Sequence, residues 1–434
     1  MRRCAEGRLH MWNAIARQIV DLQHTLPYGW ALLFFAAYPI VTSIMWITTS
    51  LYFLRRWERG GPPEDSIIDA DLPWATVLIP AHNEAEVIAD TLEAACRIDY
   101  PHYEVVVVDD GSSDDTARRV EPFLAGGRVR LVRKLVNEGK ALALNDALPL
   151  VRGEVILTLD ADAAPDPMIL RRIVPHFRSA RVAAVTGNPR VRNGHSFLAR
   201  LQAIEFSSIV SLLRRSQRIW GRIVTVSGVV AAFRKSAVFD VGGFSPNMPT
   251  EDIELTWKLQ KRFYDVRYEA RAIVWMTVPN SFKGLFRQRL RWARGLMQVF
   301  HKHADVMLHW KYRRMWPVFV ESALSILWAL CFVVLTLIWI ASWAIGVPPV
   351  GASPIPNLWG MTIGTLCLLQ LLTGALVDRR YDPGILRFYA YAVWYPLVYW
   401  MFLSVTTVLS MGWLLRRPRA DSIRWNTQRA GSEA

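Results

Sequence analysis

Acidic residues recur as short pairs in the middle of the chain, and two of these pairs have spacings that suit catalysis. Asp160 and Asp162 are separated by one residue at the end of a predicted strand, where two carboxylates could hold Mg²⁺ or Mn²⁺ on a diphosphate. Glu251 and Asp252 open a predicted helix, and Asp252 could act as a general base that accepts a proton from a hydroxyl group. Each pair also has a structural interpretation, since Asp-x-Asp is common and acids in a first helical turn interact favourably with the helix dipole.

A second group of polar residues follows the first two predicted strands. Asn83 and Glu84 come after the first strand, and Asp109 and Asp110 come after the second, so both loops would meet at one edge of the sheet. Acids there can bind a base and a ribose, although Asp and Ser after a strand also form ordinary turns and helix caps. Lys140 could contact a base or a phosphate, but its surroundings lack Walker A spacing, which argues against hydrolysis of ATP or GTP.

A third signature, formed by Gln288, Arg291 and Trp292, lies within an amphipathic basic stretch. Arg291 and Gln288 could bind a leaving diphosphate, and Trp292 could offer its aromatic face to a sugar ring. The alternative is a helix on a membrane surface, with Phe282 and Leu285 facing lipid. Both interpretations can hold for one helix, since its two faces are different.

The elements that must position these residues alternate between about residues 72 and 310. Five short, continuous apolar runs predict strands buried on both faces of a mostly parallel sheet. The predicted strands are Ala75 to Ile79, Val105 to Val108, Val129 to Val132, Val155 to Leu159 and Val182 to Thr186. Amphipathic segments separate the strands near 84–97, 114–124, 139–150 and 167–178. This pattern is typical of an α/β Rossmann-like fold, in which ligands bind beyond the carboxyl ends of the strands.

Composition and apolar runs predict an integral membrane protein. Apolar residues make up 52% of the 434 residues, and 19 residues are Trp. The formal charge of +14 suits anionic headgroups or phosphate-bearing ligands, and we expect no nucleic acid partner. Apolar runs at 28–54, 316–347, 358–377 and 388–415 predict four spans. A re-entrant last segment, broken at Pro396, is the alternative to a fourth span.

These features divide the chain into six parts. The parts are an amphipathic segment at 1–27, a transmembrane helix at 28–54, a catalytic domain at 60–281, an interfacial basic helix region at 282–314, about three transmembrane segments at 315–415 and a polar tail at 416–434. A further amphipathic stretch at 197–220, within the catalytic domain, predicts a second interfacial helix.

The order and spacing of the signatures resemble those of processive family 2 inverting glycosyltransferases, the group that includes cellulose, chitin and hyaluronan synthases. Four longer stretches are similar to those of bacterial poly-β-1,6-N-acetylglucosamine synthases. They are AVTGNPRVR at 184–192, VSGVVAAFRKSA at 226–237, MPTEDIELTWKLQ at 248–260 and RMWPVFVE at 314–321. The resemblance covers most of the chain after about residue 40.

The resemblance implies a GT-A type nucleotide-sugar transferase domain inserted between transmembrane helices. It implies a bacterial inner membrane location with the catalytic domain in the cytosol, polymerisation of N-acetylglucosamine from UDP-N-acetylglucosamine with inversion, and export of the growing polysaccharide into a biofilm. Catalysis would rest on Asp252, with Glu251 and Asp110 beside it. The other implied contacts are Asn83, Glu84, Asp109, Lys140, Asp160, Gln288, Arg291 and Trp292 for substrate and Asp162 for Mg²⁺ or Mn²⁺.

The same family implies partners beyond the substrate and the membrane lipids, namely a small two-span accessory membrane subunit and regulation by cyclic di-GMP. Two alternatives stay open, a single-transfer enzyme that acts on a polyprenyl phosphate and a sibling synthase of the chitin or hyaluronan type. A non-catalytic scaffold is disfavoured because every expected acid is present. The chain departs from the family pattern near its start, where one apolar span behind an amphipathic helix replaces two spans.

Overall fold

The computed structural model describes residues 14, 17–58, 72–346, 358–414 and 424, and its centre is an eight-stranded sheet. The strands are β1 (Ala75–Ala81), β2 (Tyr103–Asp110), β3 (Val129–Lys134), β4 (Val155–Leu159), β5 (Ala163–Pro165), β6 (Val182–Val191), β7 (Val230–Arg234) and β8 (Asp265–Met276). Their order across the sheet is β3-β2-β1-β4-β7-β6-β8-β5. Only β5 and β7 run antiparallel to their neighbours, so the sheet is mixed but mostly points one way.

Helices lie against this sheet, precede it and follow it. They are α1 (Leu26–Phe53), α2 (Ile88–Cys96), α3 (Thr116–Leu124), α4 (Lys140–Ala147), α5 (Ile169–Ile173), α6 (Phe197–Glu205), α7 (Leu212–Trp220), α8 (Lys235–Asp240), α9 (Glu251–Lys261), α10 (Phe282–Lys302), α11 (Trp316–Ala344), α12 (Leu358–Asp378) and α13 (Trp400–Ser410). Two separate groups of buried apolar side chains pack on the sheet, one built around Val77 and Val105 and the other around Leu78 and Val106. Adjacent strand residues thus point to opposite faces, as the two-residue period of a strand requires.

All five predicted strands are confirmed, and each includes the expected residues. Every residue of β1, β2, β4 and β6 is buried, which is why these strands read as continuous apolar runs. The sequence did not reveal β5, β7 or β8. Strand β5 has only three residues, and β8 interleaves charged side chains with its buried ones.

Three helical stretches in the described part of the chain are long and apolar enough to cross a membrane, Leu26–Glu58, Trp310–Ala344 and Trp359–Asp378. The fourth predicted span differs from expectation. It is divided into a 3₁₀ segment (Ile385–Val393), a π-helical turn (Tyr395–Tyr399) and α13. The 11 residues of α13 extend over about 17 Å, much less than the ~30 Å of a hydrocarbon layer. The helix type changes around Pro396, as the re-entrant alternative expected, and the path of this segment relative to a membrane stays a prediction.

The predicted amphipathic stretch at 197–220 is helical and forms α6, a π-helical segment (Phe206–Ser211) and α7 in direct succession, but most of its residues are buried in protein, so its interfacial place stays a prediction. Most residues of the predicted amphipathic segment at 1–27 and nearly all of the polar tail at 416–434 lie outside the described residues.

One residue on the apolar face of α10, Leu285, contradicts the prediction that this face would contact lipid. Leu285 is only 1% exposed, and the Phe282 and Phe286 rings lie 5.1 and 6.2 Å from the Phe402 ring of α13. The C-terminal segment covers part of this face because α13 packs on α10, while Phe282 stays 61% exposed. The amphipathic pattern was correct, but protein buries Leu285 and contacts Phe286 on its apolar side.

A buried network of charges joins the catalytic domain to the membrane helices. Arg190 on β6 pairs with Asp378 at the end of α12, and Arg215 on α7 lies 2.9 Å from the same carboxylate. Arg215 also pairs at 2.5 Å with Glu58, which follows α1, and Tyr381 donates a hydrogen bond to Glu58 at 2.8 Å. Both arginines and Asp378 are at most 1% exposed at their side chains. Because unpaired buried charges are strongly unfavourable, this network fixes how the domain sits on the helices.

Candidate active site

The loops after β1 and β2 are joined by hydrogen bonds at the carboxyl edge of the sheet. Asn83 has φ of +57°, and its side-chain oxygen accepts a hydrogen bond from the Ser113 N–H at 2.9 Å. The Asn83 N–H donates to the Ser112 hydroxyl at 3.0 Å, and the Glu84 N–H donates to the Thr116 hydroxyl at 2.8 Å. Asn tolerates the left-handed region because its short polar side chain bonds locally. Asn83 and Glu84 therefore give this edge its shape.

Asp109 and Asp110 end β2, and their carboxylates are occupied by nearby backbone. Asp109 accepts from the Ser112 N–H at 3.0 Å. Asp110 is completely buried and accepts from the N–H groups of Glu138 at 3.2 Å and Gly139 at 2.7 Å. This arrangement differs from the predicted catalytic place of Asp110, because both of its oxygens hold the loop that leads into α4. Asp110 is thus suited to positioning that loop.

Lys140 is the centre of a cluster that three separate parts of the chain contribute. Its ammonium nitrogen lies 2.6 Å from Asp160 at the end of β4 and 3.4 Å from Glu251 at the start of α9. It also donates to the carbonyl oxygen of Gly228 at 3.1 Å. A Cβ added to Gly228 would lie 3.0 Å from Asp252 Oδ2 and 3.8 Å from the Lys140 nitrogen. The absence of a side chain at Gly228 therefore leaves room for Asp252 beside the lysine.

The charges of this cluster shift the pKa values of two of its members. Burial, followed by the adjacent Glu251 carboxylate, raises the pKa of Asp252 to about 6, while Lys140 and Arg291 act in the opposite direction. Burial disfavours the charge on Lys140, but the carboxylates of Asp160, Glu251 and Asp252 outweigh it and hold the Lys140 pKa above its ordinary value. Asp252 is therefore a carboxylate with a pKa just below neutrality, the range that suits a general base.

Asp160 and Asp162 stand at the end of β4, as predicted, and their chemistry fits a hard divalent cation. Among the described residues, no group of three or more His, Cys, Asp or Glu side chains could hold a metal ion. Mg²⁺ needs no such group, since it takes one or two carboxylates together with waters and substrate phosphates, and Mn²⁺ also prefers oxygen ligands. A pair of carboxylates at a strand end suits a cation that binds together with a diphosphate.

Helix α10 carries the third signature and lies close to the start of α9. A Cβ on Gly295 would collide with the Thr250 side chain, so only glycine permits this approach. Arg291 is exposed, and its charge acts on Asp252. The Gln288 side-chain oxygen is buried, and no donor within the described ranges bonds to it. A substrate donor could therefore satisfy Gln288.

Trp292 lies one helical turn from Gln288 on the same helix. It is partly buried and packs against an apolar cluster that includes Leu201 of α6 and Tyr399 of the C-terminal segment. The Arg289 guanidinium carbon lies 4.2 Å from the centre of the Trp292 ring, at the distance of a cation–π contact. The signature residues are thus placed between the catalytic cluster and the membrane segments.

Comparison with known proteins identifies the family to which these features belong. Residues 73–295 match the family described as "Glycosyltransferase like family 2". The chain belongs to glycosyltransferase family 2. The poly-beta-1,6-N-acetyl-D-glucosamine synthase of Staphylococcus epidermidis is 32% identical over 408 residues, which cover 92% of this chain and 98% of that protein. The synthase of the same name from Staphylococcus aureus strain COL is 32% identical over 410 residues, with the same coverage.

A solved structure shares the fold of this family 2 glycosyltransferase. It is the mannosyltransferase PcManGT from Pyrobaculum calidifontis in complex with GDP-Man and Mn²⁺, with a TM-score of 0.59 and 24% identity. The likeness covers 88% of this chain and 100% of the mannosyltransferase. The predicted α/β fold of the GT-A type is therefore confirmed.

Sequence reasoning missed several residues that shape the site of this family 2 glycosyltransferase. Gly228 lies inside the stretch VSGVVAAFRKSA, but its contact with Asp252 depends on the fold. Glu205 and Arg289 form a buried ion pair at 2.5 Å although 84 residues separate them. The sequence pattern showed only that each residue is a charged side chain on the apolar side of an amphipathic helix. Such a pattern does not reveal which distant residue is the partner.

Proposed function

We propose that the chain is a processive inverting N-acetylglucosaminyltransferase that polymerises N-acetylglucosamine from UDP-N-acetylglucosamine into a β-1,6-linked polysaccharide. The observation that carries the proposal is the position of Asp252 beside Lys140 and Asp160 at the sheet edge, with α10 packed against the start of its helix. The names of the Staphylococcus relatives support the choice of sugar and of linkage.

The proposed reaction is a single displacement. The Asp252 carboxylate accepts the proton of the acceptor hydroxyl as that oxygen attacks the anomeric carbon of the α-linked donor. The bond between the anomeric carbon and the diphosphate oxygen breaks, UDP leaves, and the new linkage is β. With a pKa of about 6, Asp252 is mostly ionised at neutral pH and can accept the proton without prior activation.

The charge that develops on UDP is met by cationic groups of the chain. Arg291 is exposed on α10 and, within the described residues, belongs to none of the buried ion pairs that hold other arginines, so it suits the departing diphosphate. Lys140 carries a stable positive charge at the same edge. Gln288 would donate its amide to the diphosphate or to the acceptor end, and Trp292 would stack on the acceptor sugar.

The nucleotide would bind over the loops after β1 and β2, with Asp109 nearest the uridine and with Asn83, Glu84 and Asp110 holding the loops in shape. Asp160 and Asp162 would hold Mg²⁺ or Mn²⁺, which supplies positive charge to the diphosphate when bound.

We further propose that the enzyme lies in a bacterial inner membrane with residues 60–281 in the cytosol, where nucleotide sugars are made, and that the polymer leaves through the helices at 28–54 and 315–415 to form a biofilm. The basic region at 282–314 would lie at the inner membrane surface, between the polar domain and the spans. A small two-span accessory subunit and control by cyclic di-GMP would be further partners.

The test is incorporation of labelled sugar from UDP-N-acetylglucosamine into polymer by membranes that carry the full chain, with Mg²⁺ present. Asp252→Asn should lower incorporation by about 100-fold or more, because it removes the general base. Asp240→Asn, at the exposed end of α8, is the matched control and should leave incorporation unchanged.

Three products distinguish the alternatives. Polymer that resists chitinase and cellulase and yields to a β-1,6-N-acetylglucosaminidase supports the proposal. Chitinase-sensitive polymer would indicate a sibling synthase. Label recovered only in a short lipid-extractable product would indicate single transfer to a polyprenyl phosphate and would overturn processivity.

A further inference from the structure

Arg289 is a buried cation in the middle of the α10 signature, and two elements outside that helix hold it. It is 4% exposed and donates to the Glu205 carboxylate of α6 at 2.5 Å. It also donates to the Tyr399 hydroxyl at 3.2 Å. Tyr399 in turn donates to the same Glu205 oxygen at 2.9 Å, so the three polar groups close a triangle.

The same guanidinium covers one face of Trp292. Its carbon lies 4.2 Å from the ring centre, and the two residues are three positions apart on α10, a spacing that brings side chains together. Both hydrogen bonds leave from the same guanidinium nitrogen, Nη2, so Glu205 and Tyr399 restrain that end of the Arg289 side chain while its other surface lies against the indole. The Trp292 orientation is therefore tied to the place where Glu205 and Tyr399 hold Arg289.

The chemistry of the triangle favours orientation over stability as its role. A buried ion pair adds little net stability compared with apolar side chains of the same volume, because both charges lose their hydration. It does restrict geometry, since Nη2 of Arg289 is bonded to both Glu205 and Tyr399 and the Trp292 ring lies against the same guanidinium. The cation–π contact with the Trp292 indole depends on where that guanidinium is held.

We propose that Glu205, Arg289 and Tyr399 form a positioning triad that holds the Trp292 indole in the orientation that receives the acceptor end of the polymer. This inference rests on the proposed function and deepens it, because it concerns the acceptor and not the nucleotide. Since Tyr399 belongs to the apolar C-terminal segment that leads into α13, an element outside the nucleotide-binding sheet takes part in setting the acceptor platform.

The experiment separates acceptor use from donor use in membranes that carry the full chain. At saturating UDP-N-acetylglucosamine, UDP release and sugar incorporation are measured in parallel, together with polymer length and the KM for the donor. Tyr399→Phe removes two hydrogen bonds of the triad but keeps the ring. Tyr391→Phe is the matched control, because its hydroxyl bonds Arg200 of the same helix α6, away from Trp292.

For Tyr399→Phe we expect shorter polymer and about a tenfold rise in UDP released per sugar incorporated, as water replaces a poorly held acceptor, with the donor KM unchanged. Glu205→Gln should show the same change more strongly. Arg289→Lys should also show it, because an ammonium keeps the charge but not the planar stack. Tyr391→Phe should match the wild-type chain.

If Tyr399→Phe makes polymer of wild-type length and releases the wild-type amount of UDP per sugar incorporated, the triad is overturned. The triad is also overturned if Tyr391→Phe changes these two quantities as much as Tyr399→Phe does. If Glu205→Gln does not accumulate in membranes, Tyr399→Phe alone decides the matter. A wild-type chain that incorporates no sugar from UDP-N-acetylglucosamine would overturn the proposed function itself, which is a different result from normal polymer in every variant.

Discussion

The pH dependence of transfer gives a direct test of the charge cluster around Asp252. A general base must be ionised to accept a proton, so the rate should fall as the pH drops through the Asp252 pKa of about 6. Glu251 raises that pKa, and Lys140 lowers it. Glu251→Gln should therefore move the acid limb of the profile to lower pH, and Lys140→Gln should move it to higher pH.

The size of the first shift follows from the charge that is removed. Loss of one neighbouring unit charge changes a pKa by about one unit. A group with a pKa of about 6 is roughly one-tenth ionised at about pH 5, whereas a group with a pKa of about 5 is half ionised there. Relative to its own plateau at about pH 8, Glu251→Gln should thus be about fivefold more active than wild type at about pH 5.

The assay is the initial rate of sugar incorporation at saturating donor, measured across the pH range and normalised to each variant's plateau. Normalisation matters because Glu251 also lies 3.4 Å from the Lys140 ammonium, and its loss lowers the plateau as well. Glu138→Gln, which removes an equal charge from the loop before α4, is the control and should leave the limb in place. An acid limb that stays fixed in Glu251→Gln, or moves upward, would refute the assignment of Asp252 as the base.

Three further changes test other parts of the structure. Gly228→Ala places a methyl group 3.0 Å from Asp252 Oδ2, so kcat should fall by about 100-fold. The thermal unfolding temperature should stay near that of the wild type. An unchanged kcat would contradict the geometry. Asp110→Asn weakens its bonds to the loop before α4 and should raise the donor KM more than it lowers kcat, as donor titrations would measure. Asp378→Asn breaks the buried network and should lower the free energy of unfolding in detergent by about 3–5 kcal/mol. Adding Arg190→Met to that variant should restore part of the loss. Equal stability of the wild-type chain, the single variant and the double variant would exclude a role for the network.

The sheet and the acidic signatures could be predicted from the sequence because their signals are local. Strands buried on both faces read as apolar runs, and β4 begins and ends at the predicted residues, Val155–Leu159. Asp160, Glu251 and Asp252 were recognised from their places at the ends of elements, and the fold brings them to one lysine. Parallel strand topology explains this success, since it collects strand ends at one edge.

What the sequence could not supply is pairing between distant elements. Leu285, assigned to the lipid-facing side of α10, is buried in protein, and the sequence could not reveal this because an amphipathic helix looks the same whether protein or membrane buries it. The contacts of Asp110 could not be predicted either, because they are made with the backbone N–H groups of Glu138 and Gly139, which lie beyond the next strand, β3. The ion pair between Glu205 and Arg289 could not be predicted either, because it forms between two helices, α6 and α10, that are far apart in the sequence.

The network that joins Arg190 and Arg215 to Asp378 also sets an order of assembly. During synthesis the ribosome completes β6 and α7 long before α12 emerges. Arg190 and Arg215 are therefore made before Asp378, the carboxylate that they share. A nascent chain that stops before α12 would carry the acidic signatures and α10 but would lack Asp378, so Arg190 would lose this counterion and Arg215 would keep only its pair with Glu58. The contacts that dock the domain on α1 and α12 are therefore complete only once the last of these helices has been made.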